Sequence, residues 1–399
     1  MHAGAQECKA AFVCWLVFHL RTGLMDLWIV GATIIQESID PTIQLSNDRM
    51  PILKPTFSIV IGSLNASTDN PVAGPRRIII ERDMDIPADA MQLHLMERGG
   101  VSLDDEVAVA LGHDGENESV FTGNVVALEP AITGVKITAL GRMNALLNLR
   151  TSTWFENQTA GSIVKDLIDQ AGLSAGKVDD GPRLPRFAVD NRLSAFAQLK
   201  ELAERLGYEL YADHEGNVKF HALGAAANLD AAGLLGAAGA VTALLGAGGG
   251  EGYAFGKHLL EASAQRQNAA WSTVEVGGES PMSGQGDTTA HWLTINDADY
   301  RGSDGDGDPK LLVRDPVARY KDLADRFAAG RLATAARVAH QVCVTVLGRP
   351  TVDLGDDIST TEVPEELLNG SGYVRAIRHR FGDEMGFVTD LRISLAVES

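Results

Sequence analysis

Three aspartates alternate in the segment RGSDGDGDPK, at Asp304, Asp306 and Asp308. Carboxylates spaced this way, with glycines between them, are what a calcium loop uses. An EF-hand loop also needs glycine at its sixth position and glutamate at its twelfth. Counted from Asp304, those positions hold Pro309 and Asp315, so the segment reads as an acidic surface loop, with calcium binding as the sharper alternative. Histidines at 94, 113, 214, 221, 258, 291, 340 and 379 show no HxxxH or HExxH spacing, so a metal site would need tertiary convergence. Ser280 in VGGESP lacks the G-x-S-x-G frame of a nucleophile elbow and reads as a turn. GAGGGEG, at 246–252, has no phosphate-loop lysine. Glu156 and Asp166 make a carboxylate pair of the kind any acidic chain supplies by chance. Cys8, Cys14 and Cys343 form neither a disulfide framework nor a CxxC pattern, which fits folding in a reducing compartment. No side chain is therefore assigned as catalytic, cofactor-binding or metal-ligating, and no cofactor is expected.

A basic stretch near the end, NGSGYVRAIRHRFGDEMGFVTDLRIS at 369–394, sets His379 between two arginines. The formal charge of the whole chain is -19, which opposes general nucleic-acid binding, since that needs a dominant basic surface. The stretch reads instead as a basic sheet edge. Val374, Ala376 and Ile377 continue a strand, while Arg375, Arg378, His379 and Arg380 face solvent, a lumen or a neighbour.

These residues must be held by elements that the periodicity predicts. From residue 51 to 150, short runs such as TFSIVIGS, RRIIIERD, AMQLHLME, DEVAVALG, SVFTGNVVAL and GVKITALG alternate with period two between turn residues. That pattern is an antiparallel barrel or sandwich, with Asp114-Gly115 as a hairpin turn. From 151 to 223 the period becomes helical. Ile163, Val164, Leu167, Ile168 and Ala171 share one face, capped by Thr159 and stopped by Gly172. Leu199, Leu202 and Leu206 share another, capped by Ser194 and stopped by Gly207. A hairpin about Glu215-Gly216 completes a small α/β module. Residues 224–252 are rich in alanine and glycine and read as a linker or insertion, or as a short apolar helix at an interface. From 253 to 399 strands return in WSTVEVGG, HQVCVTVLG and GDDIST. A helix intervenes, started by Asp315-Pro316 and weakened at Gly330.

The first 50 residues include AAFVCWLVFHL, too short to span a bilayer and lacking a small-residue cleavage site. With Met25 and Met50 as later starts, an over-extended reading frame and an extension packing on a partner both fit, and no stable membrane insertion is expected.

Two distant stretches share an order of parts. DEVAVALG leads to FTGNVVALEP and GVKITALG; LGDDIST leads to LNGSGYVRAIRHRF and GFVTDLRIS. Each has a strand, a Gly-marked turn at Gly123 or Gly370, an apolar strand, a turn and a return strand. Such a repeat predicts two related β-domains in one chain.

The chain also resembles the hub proteins of contractile tails: the late-control D-type tail proteins of phages, the phage baseplate hub, and the hub parts of secretion and extracellular injection systems. The resemblance rests on the order of FENQTAGSIVKDLIDQAGL, LSAFAQLKELAERLGYELYADHEGNVKF, VEVGGESPMSGQGDTTAHWL, LLVRDPVARYKDLADRFAAGRL and LNGSGYVRAIRHRFGDEMGFVTDL, over about residues 52 to 399. It implies a mainly β fold with an α/β insertion: tail-tube-like antiparallel β-barrels at 51–150 and 253–399, and the α/β module at 151–223 between them. It further implies a homotrimer presenting a pseudo-sixfold ring that joins an inner tube protein to a spike protein beside baseplate wedge proteins. The setting it implies is the bacterial cytoplasm during assembly, then a phage tail or injection-system baseplate. Residues 1–50 and the Ala/Gly-rich stretch match nothing in the family. No spike β-helix or lysozyme-like module follows the second barrel, so the spike is expected to be a separate chain. The contrasting readings are a tail-tip peptidoglycan hydrolase or wall-binding protein built on the α/β module, and a calcium-dependent surface adhesin resting on the Asp304 loop.

Overall fold

A computed structural model describes residues 53–223, 251–279, 300–383 and 385–395. Ser280, His291, the 1–50 extension and nearly all of the Ala/Gly-rich stretch lie outside these residues.

The period-two runs form strands β1 (Pro55–Ile61), β2 (Leu64–Ser67), β3 (Pro75–Asp83), β4 (Ala90–Leu95), β5 (Glu106–His113), β6 (Glu116–Ala131) and β7 (Gly134–Gly141). Alternation is clean where one face is covered: Met91, Leu93 and Leu95 of β4 are buried and their neighbours are not. Between β5 and β6 the chain turns through Asp114 and Gly115, at φ 53° and 92°. Two positive φ angles are what a type I′ hairpin requires, and Asp-Gly supplies them.

The next segment supplies α1 (Asn144–Asn148), β8 (Thr153–Thr159), α2 (Ala160–Gln170), β9 (Ala175–Val178), β10 (Arg183–Val189), α3 (Ala195–Leu206), β11 (Tyr208–Ala212) and β12 (Val218–Ala222). Thr159 Oγ1 accepts from Ser162 N at 3.2 Å, and Ser194 Oγ from Ala197 N at 3.2 Å, so both expected caps form. Gly207 ends α3 in the left-handed region at φ 73°. Ile163, Val164, Leu167 and Ile168 of α2 are fully buried, each contributing about 1.5–3 kcal/mol of transfer free energy.

The remainder forms β13 (Glu251–Ala254), β14 (Leu259–Arg266), β15 (Thr273–Gly277), β16 (Arg301–Gly305), β17 (Lys310–Arg314), α4 (Lys321–Ala336), β18 (His340–Leu347), β19 (Asp357–Thr361), β20 (Gly370–Gly382) and β21 (Gly386–Leu395). The helix does not begin at Pro316. Asp315 instead closes a turn, its carboxylate accepting from Val317 N at 3.1 Å, and α4 starts at Lys321.

Two discrete barrels are not what these strands build. A single curled sheet of thirteen strands runs β14-β18-β21-β20-β3-β4-β7-β6-β5-β1-β2, with β19 joining β20 to β13. The joint is β3 against β20, antiparallel from Ala376↔Asp83 to Gly382↔Arg77. Two apolar clusters line this sheet. One gathers Ile59, Ile61, Leu93, Val109, Phe121 and Ile137, and the other Val342, Val344, Ile358, Val374, Leu391 and Ile393. Each reaches into the other's sequence: Phe387 lies in the first cluster and Met84 in the second. A third core unites α2, α3, β11 and β12 with β15 and α4. β15 and α4 thus pack with the α/β module, although the sequence order puts them in the second β region.

The repeat is present, in a different register from the one its glycines suggest. Asp104 N donates to Val125 O at 2.9 Å and Val125 N to Asp105 O at 3.0 Å; Gly355 N donates to Val374 O at 2.9 Å and Val374 N to Asp356 O at 2.9 Å. Ser102 N reaches Asp105 Oδ2 at 2.8 Å, and Asp353 N reaches Asp356 Oδ2 at 2.7 Å. A bulge follows in each copy, between Val125 and Ala127 in β6 and between Val374 and Ala376 in β20. Gly123 therefore matches Gly372, not Gly370. At both, an added Cβ would lie close to a carbonyl oxygen of the return strand, 2.2 Å from that of Leu140 and 2.0 Å from that of Ser394.

Candidate functional site

The densest group of buried charges lies where the two β-lobes and the α/β module meet. β20 is not an edge: it is covered by β21 on one side and by β19 and then β3 on the other. The basic residues expected to face outward therefore divide. Arg378 and Arg380 are half-buried, while Arg375 is 2 % and His379 1 % exposed. Arg375 is the extra residue of the β20 bulge, and a bulge re-aims its side chain. Its guanidinium bonds to Glu209 and, at 2.5 Å, to Asp85 Oδ1.

Glu209 is the centre of the network. It lies on β11, fully buried, between Tyr208 and Leu210. Arg337 Nη1 sits 2.8 Å from Oε1, Tyr373 Oη donates to Oε1 at 3.4 Å, and Lys200 Nζ is 3.9 Å from Oε2. Burial favours the neutral acid, but the cations Arg337, Arg375 and Lys200 outweigh it and hold the carboxyl below its ordinary range. Arg392 Nη2 continues the chain of charges to Asp83 at 2.6 Å and Asp85 at 2.7 Å.

A second centre is Arg82, at the end of β3 and 1 % exposed. Its Nε meets Asp89 at 3.0 Å, its Nη1 meets Asp353 at 2.7 Å, and its Nη2 donates to Ala212 O at 2.9 Å. One side chain thus ties the first lobe, the turn before β19 and the module. Burial raises the Asp89 carboxyl to about 6 despite Arg82 beside it. Asp353 goes the other way: burial opposes, but the hydrogen bond from His214 at 3.1 Å and the Arg82 charge keep it well below the ordinary carboxylate range. His214 is raised in turn, chiefly by that hydrogen bond.

A third contact locks α3 to α4. Asp315 meets Arg205 at 2.8 Å and Arg331 at 3.3 Å. Gly330 is no weak point, because a Cβ there would fall 2.3 Å from Arg205 O and 2.6 Å from Gly207 N. It is where the two backbones touch.

Buried charges of this kind are costly to unpair. Removing one partner typically costs about 3–5 kcal/mol, because the other is left buried and unmatched. The network therefore resists separation of the lobes.

No protein-family model matches the sequence, and no curated protein matches it. Solved structures do match the fold. The tail protein from Neisseria meningitidis MC58 superposes with a TM-score of 0.63 over 86% of this chain and 96% of its own, at 13% identity. The 43 kDa tail protein of prophage MuSo2 from Shewanella oneidensis gives 0.58 over 85% and 98%, at 15% identity. The E. coli c3393 protein, described as a component of the type VI secretion system with similarity to T4 bacteriophage tail proteins, gives 0.52 over 85% and 77%, at 8% identity. This chain shares the fold of these solved tail proteins.

Within the tail-protein fold, the residues that could do chemistry are dispersed. Asp304 is in β16 opposite Val274, while Asp306 turns back to accept from Gly307 N at 2.8 Å. Among the described residues, no three His, Cys, Asp or Glu side chains gather to hold a metal. Glu156 sits on β8 opposite Arg186, and Asp166 accepts from Gln170 on the α2 surface. Several histidines have structural partners: His113 meets Gly348 O at 3.1 Å, His221 meets Tyr211 Oη at 2.9 Å, His340 meets Leu367 O at 2.8 Å, and His379 meets Thr389 Oγ1 at 3.0 Å. Glu209 and Arg82 were not singled out by the sequence. The available signal was a charge inside the apolar runs YELYA and IIIERD.

Proposed function

We propose that this chain is a structural hub protein of a phage tail or contractile injection machine, acting as a homotrimeric symmetry adapter. One observation carries the reading: the same turn-and-bulge β unit occurs twice in one chain, on one continuous sheet, within a tail-protein fold. Three such chains would present six related units to a sixfold inner tube protein while keeping threefold symmetry for a spike protein. Baseplate wedge proteins would hold the outer surface. The two lobes of the single sheet would act as the tube-like units, with the α/β module bracing them. Symmetry matching and mechanical coupling need no chemical step, and the buried ion pairs at the lobe junction suit a part that transmits load. Assembly in the bacterial cytoplasm, followed by incorporation into a tail or baseplate, goes with this role.

Light scattering after size exclusion tests it. The expected mass is roughly three times the 42.5 kDa chain. A single-chain mass at every concentration, or release of peptidoglycan fragments by the purified protein, would overturn the reading.

A further inference from the structure

The internal repeat has one unequal consequence. In strand order, β3-β4-β7-β6-β5 of the first lobe matches β14-β18-β21-β20-β19 of the second. The match holds residue by residue, since β3 and β14 both slip register at their starts, between Pro75 and Arg77 and between Leu259 and Glu261. Within the chain, β3 adds to the open side of β20 just beyond its bulge. The counterpart of that open side is β6 from Ala127 to Ala131, and the counterpart of β3 is β14. Neither has a partner there among the described residues: β14 ends the sheet, and the β5 ladder on β6 stops at Asn124.

We propose that β14 of one copy adds antiparallel to Ala127–Ala131 of β6 in a second copy, repeating between chains the β3–β20 joint found within the chain. Transferring the register pairs Ala127 with Gln267, Leu128 with Arg266, Glu129 with Gln265, Pro130 with Ala264 and Ala131 with Ser263. The same surface pair recurs head to tail, so the contact closes into a ring or grows into a filament. Ring closure rests on the hub reading above; the strand pairing rests on the repeat alone.

Four observations favour a second copy over another occupant. Ile78, Ile80 and Arg82 of β3 are buried beside β20, whereas their counterparts Ala264 and Arg266 on β14 are exposed and Ala262 is half-buried. Arg82 is held by Asp89 and Asp353. Its counterpart Arg266 would lie beside the neighbour's matching turn, where Ser102 stands in the place of Asp353 and the nearby carboxylates are Asp104 and Asp105. Across the internal joint, Arg378 pairs with Glu81 at 3.0 Å. The matching pair between chains, Glu129 with Gln265, is hydrogen-bond competent. Ladder alternation sends the N–H groups of Ala264 and Arg266 away from β18, toward the open side. Pro130 lacks an N–H, so the joint between chains has one ladder bond fewer than the joint within the chain.

Engineered cysteines test the register. Glu129 and Gln265 would face each other as a closely spaced non-hydrogen-bonded pair, within disulfide reach. Full-length Glu129→Cys/Gln265→Cys, oxidised and run without reductant, should give bands of two and three chains that neither single variant gives. Ala264→Pro removes an N–H that only the second copy uses. It should raise the concentration needed for assembly at least tenfold while leaving the far-ultraviolet circular dichroism unchanged. A parent protein that assembles, with no cross-link in the double variant or with unchanged assembly in Ala264→Pro, would overturn this interface and leave the hub reading standing. A parent that stays a single chain at all concentrations would overturn both.

Discussion

His379 shows how a residue that looks reactive is held inert. It is enclosed by β20, β21 and β3, its Nδ1 meets Thr389, and its Nε2 has no hydrogen-bond partner among the described residues. Burial, with Arg82 nearby, lowers its pKa from 6.5 to about 3. The unfolded chain therefore takes up a proton below pH 6.5 that the folded chain refuses until about pH 3. This group's contribution is complete above pH 6.5 and is lost as pH falls, by about 1.4 kcal/mol per pH unit. Asp89, raised from 3.8 to about 6, works oppositely: its contribution is complete below pH 3.8 and is lost as pH rises through 6. Between those values the two slopes oppose each other. Replacing His379 by asparagine should expose the Asp89 slope, so that stability relative to the parent improves as pH drops from 6 to 4. Urea midpoints across that range check this, and parallel curves for parent and variant would refute it.

At the scale of elements, the crossing of α3 and α4 is set by absence of a side chain. Alanine at position 330 would raise intrinsic helix propensity by about 1 kcal/mol. It would also place a methyl group 2.3 Å from Arg205 O, and overpacking a tight contact costs about 1–3 kcal/mol. The helices cannot part freely, because Arg337 bonds to Gly207 O and Tyr208 O across the same crossing. Gly330→Ala should therefore lower the melting temperature rather than raise it, as calorimetry can measure. The same reasoning explains why Asp315 does not open α4. Its carboxylate is committed to Arg205, Arg331 and the turn at Val317, and the helix begins only after those bonds are made.

For the molecule as a whole, the boundaries between lobes are crossed by several buried polar contacts: a shared β3–β20 ladder, Arg82 with partners in three segments, and Glu209 gripped by Arg337 and Arg375. Cores linked this way should lose structure together. Denaturant unfolding followed by tryptophan fluorescence, to which Trp154 and Trp271 contribute among the chain's five tryptophans, and by far-ultraviolet circular dichroism should give coincident transitions. Separated transitions would show that the lobes unfold independently and that the junction is weaker than its geometry implies. The hub role proposed above needs the cooperative outcome.

Sequence alone determined the local elements. Caps at Thr159 and Ser194, the Asp114-Gly115 hairpin and the alternating strands of residues 55–141 rest on interactions within a few residues, which composition and spacing encode directly. The repeat was legible too, through the order of its parts. What β20 lies beside was decided only by the tertiary structure. A period of two says that one face is covered, but not which strand covers an edge, and the bulge at Arg375 changes the alternation without changing the composition. Those non-local pairings turned a basic stretch expected at a sheet edge into the buried joint of the molecule. They also made Gly330 a contact instead of a flaw, and set Glu209 and Arg82 at the centre of charge networks that no spacing rule connects.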